Sequence, residues 1–145
     1  MTSEELKAYC DSEFKNIGRI KEGLFSLISD EKAEYSLSER AAISTFIVNI
    51  YLGIENILKQ ILMFDGLDIK DAPQWHEKVL KKAGEIGILP PDLFQILMGY
   101  LYFRNLFTYS YVFDIEWEKL KGLVDTIKEV TERFSSEVEE YIQTI

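Results

Sequence analysis

The stretch from Ser36 to Phe64 limits the fold more than any other part of the chain. Ser36 and Glu39 have the spacing of a capping box, in which a hydroxyl and a carboxyl reciprocally satisfy helix-start N–H groups, so a helix begins there. Behind the box, Ile43, Phe46, Ile47, Val48, Ile50, Tyr51, Leu52, Ile54, Ile57, Leu58, Ile61 and Leu62 place apolar side chains nearly all round the helix. A helix of this kind needs protein contacts on several sides, so the chain is expected to be a bundle with this helix at its centre. Glu55 and Asn56 are its polar exceptions, expected at a surface edge or in a core hydrogen bond; both are kept as candidates to support a site from behind.

The flanking segments supply the covering helices. Thr2 and Glu5 form a second capping box at the head of a helix running to about Ile28, with apolar positions Leu6, Tyr9, Cys10, Ile17, Ile20, Leu24 and Leu27. Gly18 and Gly23 each lower its propensity by about 1 kcal/mol against alanine, so packing has to hold it. Ser29–Tyr35 reads as a loop, and Asp65–Gly66 as the stop of the central helix. Asp71-Ala-Pro73 is expected to start a short helix from about Gln74 to Gly84 or Glu85. Pro91 and Asp92 suit the first turn of a fourth helix ending near Phe107. Asp114 is expected to cap a fifth, whose stripe of Trp117, Leu120, Val124, Ile127, Thr131, Phe134, Val138 and Tyr141 makes it a neighbour for the first. No alternating strand pattern, internal repeat or low-complexity segment breaks this series. The expected class is all-α: one domain over residues 1–145, an up-and-down bundle of four main helices with a short one appended.

Composition narrows the function classes. The polar residues within Ile43–Phe64 argue against a membrane span, and the lone Cys10, with no basic-then-apolar leader, points to a reducing cytoplasm. A net charge of −9 disfavours non-specific nucleic-acid binding, so any RNA contact has to be local. Lys70, Lys78, Lys81 and Lys82 make the middle comparatively basic, while acid concentrates toward the C-terminus. Glycine-rich phosphate loops, Cys/His zinc sets and nucleophile elbows are missing from the sequence, and neither a metal nor another cofactor is expected. The one histidine, His76, sits at a helix start, where a solvated or capping imidazole is the simplest reading.

One cluster carries potential chemistry. Arg104-Asn-Leu-Phe-Thr-Tyr-Ser-Tyr111 brings a cation, an amide and two phenols to the place where an apolar helix is expected to turn into a loop. From the residues alone, Arg104 is a C-terminal helix cation and the aromatics are core.

The same segment resembles the R-X4-H-X-Y motif of HepT-type toxins in the HEPN superfamily, with Tyr109 where the motif has His. Trp75-His76, Val79-Leu80, Ala83, Gly87-Ile88, Phe103-Arg104, Phe113-Asp114 and Trp117 are similar in order and spacing to HepT-like proteins, so the likeness is strongest over the second half. The resemblance implies a homodimeric HEPN-like bundle that cuts RNA without a metal, as one half of a type VII-like toxin–antitoxin pair. It also implies a cognate MntA-like nucleotidyltransferase antitoxin that transfers AMP to the motif tyrosine, here Tyr111. By position, Arg104 binds or stabilises the scissile phosphate and Asn105 orients it, while His76 and Glu55 stand as supporting candidates.

The departure at Tyr109 is a chemical one. Cleavage by 2′-hydroxyl attack needs a group that exchanges protons near neutrality; imidazole does so with a pKa of about 6.5, whereas a phenol at about 10 stays protonated. Tyr109 is therefore expected to leave the ribonuclease inactive or severely weakened. Three alternatives remain open: this branch never used His there, His76 substitutes for it, or the chain is a non-catalytic dimeric helical module that binds a partner protein.

Overall fold

The two capping boxes set the first two helices of the computed structural model, which describes residues 1–67 and 74–145. Thr2 Oγ1 accepts from the Glu5 amide and Glu5 Oε1 from the Thr2 amide, both at 3.1 Å, at the head of α1 (Ser3–Leu27). Ser36 and Glu39 repeat the pattern at 3.1 and 2.9 Å before α2 (Leu37–Phe64). At the other end of α2, Gly66 adopts φ 82°, and the Leu67 amide donates to Leu62 O at 3.0 Å. That left-handed turn satisfies carbonyls the helix leaves open and suits the residue without a Cβ.

The remaining elements are α3 (Trp75–Glu85), α4 (Pro91–Tyr109), a single 3-10 turn (Val112–Asp114) and α5 (Trp117–Ile142). All elements among the described residues are helical, so the all-α expectation holds. The expected helix start at Asp71–Pro73, and Lys70, lie outside the described residues.

Two boundaries differ from the sequence reading. α4 does not end near Phe107 but continues to Tyr109, because the Ser110 amide still donates to Leu106 O at 2.9 Å. Asp114 does not cap α5: it belongs to the 3-10 turn, Ile115 is buried behind it, and α5 starts after Glu116 without a side-chain cap.

Side-chain pairings give the helix directions. Gly53 of α2 packs on α1 so closely that a Cβ there would stand 2.6 Å from Ile17 Cγ1, while Phe46 lies against Gly23. Later residues of α2 thus meet earlier residues of α1, and the two run antiparallel. Phe14 meets Phe134 at 5.9 Å between ring centroids, placing α5 beside α1 as its stripe predicted. Tyr100 Oη donates to Leu123 O at 2.7 Å and Asp92 pairs with Arg133, so α4 and α5 are antiparallel as well.

α2 touches α1, α3, α4 and α5, which makes it the centre. Ile43, Ile47, Ile50, Ile57, Leu58, Ile61 and Leu62 are fully buried, each contributing about 1.5–3 kcal/mol by leaving water. By length and composition α2 would also pass for a membrane span, but 56% of its most apolar window is buried inside the bundle, so its apolarity is used in packing. Cys10 lies in the α1 part of this core, where burial first and the Asp11 and Glu13 carboxylates next push its thiol up to about 11.

Candidate functional site

The antiparallel packing of α2 and α4 leaves a groove of about 400 Å3, lined by Val48, Tyr51, Leu52 and Glu55 from α2 and by Arg104, Phe107 and Thr108 from α4. Helical spacing puts these residues together. Tyr51 and Glu55 are four apart on α2, and Arg104 and Thr108 four apart on α4, so each pair shares one face. Thr108 Oγ1 donates back to Arg104 O at 2.9 Å, and Arg104 Nη1 donates to Asn105 Oδ1 at 3.1 Å.

Glu55 is neither a surface residue nor unpaired: it is 1% exposed, and its Oε1 lies 2.5 Å from His76 Nδ1. His76 is correspondingly not the solvated or capping imidazole that its place in the sequence suggested. α3 carries it onto α2, with its ring 3.7 Å from that of Trp75 and the Lys59 ammonium 4.6 Å from the Trp75 ring on the α2 side. The other carboxylate oxygen, Glu55 Oε2, and the phenol of Tyr51 are buried without a hydrogen-bond partner. Leaving such a group unpaired costs about 1–3 kcal/mol. Tyr51 and Glu55 lie beside each other without a well-formed hydrogen bond; burial first, then the charge and the proximity of the Glu55 carboxylate, push the Tyr51 phenol far above its ordinary value, and the Arg104 charge partly opposes this. Tyr51 therefore stays a protonated donor.

The other candidates lie elsewhere. Tyr109 is 88% exposed and does not line the groove; because α4 remains helical, five residues separate it from Arg104 by about 140° around the axis. Tyr111 follows the helix end, 73% exposed and stacked on Phe113 with ring centroids 5.2 Å apart and planes 7° off parallel. The structure thus joins Arg104 with Asn105, and Glu55 with His76, about one groove, and leaves Tyr109 and Tyr111 facing solvent. Among the described residues, no three His, Cys, Asp or Glu side chains are grouped to hold a metal ion.

Tyr51 was missed at the sequence level, where it counts as one more apolar residue of a buried helix. Its spacing of four from Glu55 was the available signal, since it places a phenol beside a carboxylate.

No curated protein and no solved structure matches the chain. Among protein families, residues 42–145 match one described as HepT-like protein. That span takes in every groove residue, Tyr109 and Tyr111 together with the whole of α3, α4 and α5, and with this match the chain belongs to the HepT-like protein family.

Proposed function

We propose that the protein is the toxin component of a toxin–antitoxin pair, built for metal-independent RNA cleavage and disabled or severely weakened by Tyr109. The observation that supports this most is Arg104 at the mouth of a groove beside a buried carboxylate, within the segment that resembles the family motif. A guanidinium there can offer a phosphate two parallel hydrogen bonds, with Asn105 steadying its Nη1.

Arg104 and Tyr109 diverge around α4, so one chain does not turn both toward one phosphate. A second copy can. Leu52 on α2 and Ile96 and Tyr102 on α4 are 47%, 40% and 62% exposed, apolar surface that a homodimer can cover. Tyr111, on the loop past the helix end, is the AMP acceptor in this reading; a cytoplasmic MntA-like nucleotidyltransferase is the donor and the antitoxin. Incubation with that partner, ATP and Mg²⁺, followed by intact-mass measurement, should show one added AMP that Tyr111→Phe removes. A mass that stays unchanged, or a gain that survives the substitution, rules the acceptor out. Sedimentation at micromolar concentration should give a dimer.

The stacked, exposed Tyr111 and Phe113 favour one second reading, a dimeric module that binds a partner protein through this aromatic patch. Such a module has no use for Arg104 in anything done to RNA.

A further inference from the structure

Tyr111 and Phe113 keep a parallel stack although solvent surrounds both rings, which requires a fixed backbone beneath them. Within the segment, the Asp114 amide donates to Tyr111 O at 3.0 Å and the Ile115 amide to Val112 O at 3.1 Å, so residues 111–115 form one tight turn. The turn is anchored from α2. Arg40 Nε donates to Ile115 O at 3.1 Å, across 75 residues of sequence, and Arg40 Nη1 donates to Tyr35 O at 2.7 Å. Among the described residues no backbone amide donates to either carbonyl, so the guanidinium is their partner. A cation this near a helix start faces the positive end of the helix dipole, an unfavourable placement that the two carbonyls offset.

The other anchor is itself braced. Tyr35 is buried, with its ring 4.4 Å from that of Trp117 and its hydroxyl against the Ser29 backbone, and Lys32 pairs with Glu39 in the first turn of α2. Arg40 thus ties together the loop 29–35, the first turn of α2 and the turn 111–115. A planar fork of donors reaches both carbonyls at once, which the single ammonium of a lysine does not.

We propose that Arg40 is the positioning residue for Tyr111, clamping the turn that carries the phenol so that its Oη meets an incoming nucleotide in one orientation. The proposal rests on Tyr111 as the AMP acceptor. In that transfer the phenol oxygen bonds to the α-phosphorus of ATP, pyrophosphate leaves, and the phenol proton passes to solvent. A clamp on the backbone orients the nucleophile in advance, so it acts on the rate of transfer and leaves nucleotide binding alone.

Proteolysis and AMP transfer read the two halves of the proposal. Under native conditions Arg40→Ala should speed chymotrypsin cleavage after Tyr111 and Phe113 about tenfold, the local opening expected when a hydrogen bond from a charged donor is lost. Tyr100→Phe, which loses a hydrogen bond in the seam between α4 and α5, is the control for lowered stability alone. With the nucleotidyltransferase, ATP and Mg²⁺, Arg40→Ala should lower kcat for AMP addition to Tyr111 about tenfold at an unchanged KM for ATP, and Arg40→Lys should fall between it and the parent. Cleavage no faster than in Tyr100→Phe overturns the clamp. Faster cleavage with an unchanged kcat overturns the positioning role, as does an equal loss of kcat in Tyr100→Phe. A parent that takes no AMP overturns the acceptor assignment and this role with it, while the cleavage series still decides whether Arg40 fixes the turn.

Discussion

Tyr51 and Tyr100 are equally buried, each 2% exposed, yet their hydroxyls are treated in opposite ways. In the seam between α4 and α5, Tyr100 Oη donates to Leu123 O at 2.7 Å and meets Thr126 Oγ1 at 2.8 Å. In the groove between α2 and α4, Tyr51 Oη has no backbone or hydroxyl partner of that kind and faces only the neighbouring Glu55 carboxylate, without a well-formed hydrogen bond. Burial pushes both phenols up: Tyr100 to about 12, with Thr126 opposing, and Tyr51 further, because Glu55 adds its charge. One seam is closed and self-sufficient; the other carries unpaired polar groups next to a cation. Ser44 Oγ, which does not line the groove, is likewise buried without a partner, so it is the nearby Arg104 charge and the Glu55 carboxylate, more than the missing hydrogen bonds, that set this seam apart.

The largest effect that can break this contrast comes from the single contact holding the floor of the groove. His76→Ala strips Glu55 of its one partner and should cost about 3 kcal/mol, at the low end for a broken buried pair because His76 is itself a fifth exposed. His76→Gln, which can still donate, should recover most of it. Urea unfolding of the three proteins measures this, and a loss under about 0.5 kcal/mol for His76→Ala, within the range of an ordinary surface substitution, would mean Glu55 does not depend on α3.

Next in size are the two tyrosines themselves. Tyr100→Phe removes a satisfied hydrogen bond and should destabilise by about 1 kcal/mol, whereas Tyr51→Phe removes an unsatisfied hydroxyl and should be neutral or slightly stabilising. Equal losses at the two positions in the same unfolding series would erase the distinction between the seams.

The smallest effect is electrostatic and sits at the far end of the closed seam. Hydrogen bonding from Arg133 draws the Asp92 carboxyl down to about 2, below the ordinary range. A depressed acid contributes its stability above its unfolded pKa of about 4 and loses it as the pH falls through about 2. Thermal unfolding of the parent and Arg133→Gln should therefore differ slightly at pH 5 and converge by pH 2. A gap that persists at pH 2 would assign the effect to packing of the arginine stem instead.

How much of this was legible in the sequence follows from the range of the interactions. The capping boxes at Thr2–Glu5 and Ser36–Glu39 span three residues each and form as the spacing predicts. The all-round apolarity of α2 likewise implied its central place. Boundaries decided by packing were not legible: α4 runs past Phe107 because its ladder continues through Leu106, and a buried Ile115 draws Asp114 into a 3-10 turn where a cap was expected. The pairing of Glu55 with His76 joins residues 21 apart through the docking of α3, which no local pattern encodes. The close approach of Ile17 to Gly53 likewise joins two helices and has no local signature in the sequence. Arg104 and Asn105 were readable as a pair, but the groove before them depends on a face of α2 that a one-dimensional pattern shows only as core.

The role assigned to the end of α4 is tested most directly by RNA cleavage in a gel assay, comparing the protein with Tyr109→His and with Tyr109→His combined with Arg104→Ala. General acid–base assistance is typically worth about 10²–10⁴-fold, so the histidine variant should cut visibly faster than the parent, and the added Arg104→Ala should abolish the gain. Equal cleavage by the parent and Tyr109→His would contradict the assignment of Tyr109 as the disabling residue, and inactivity of both, with fold and dimer intact, would leave the partner-binding module as the reading of this surface.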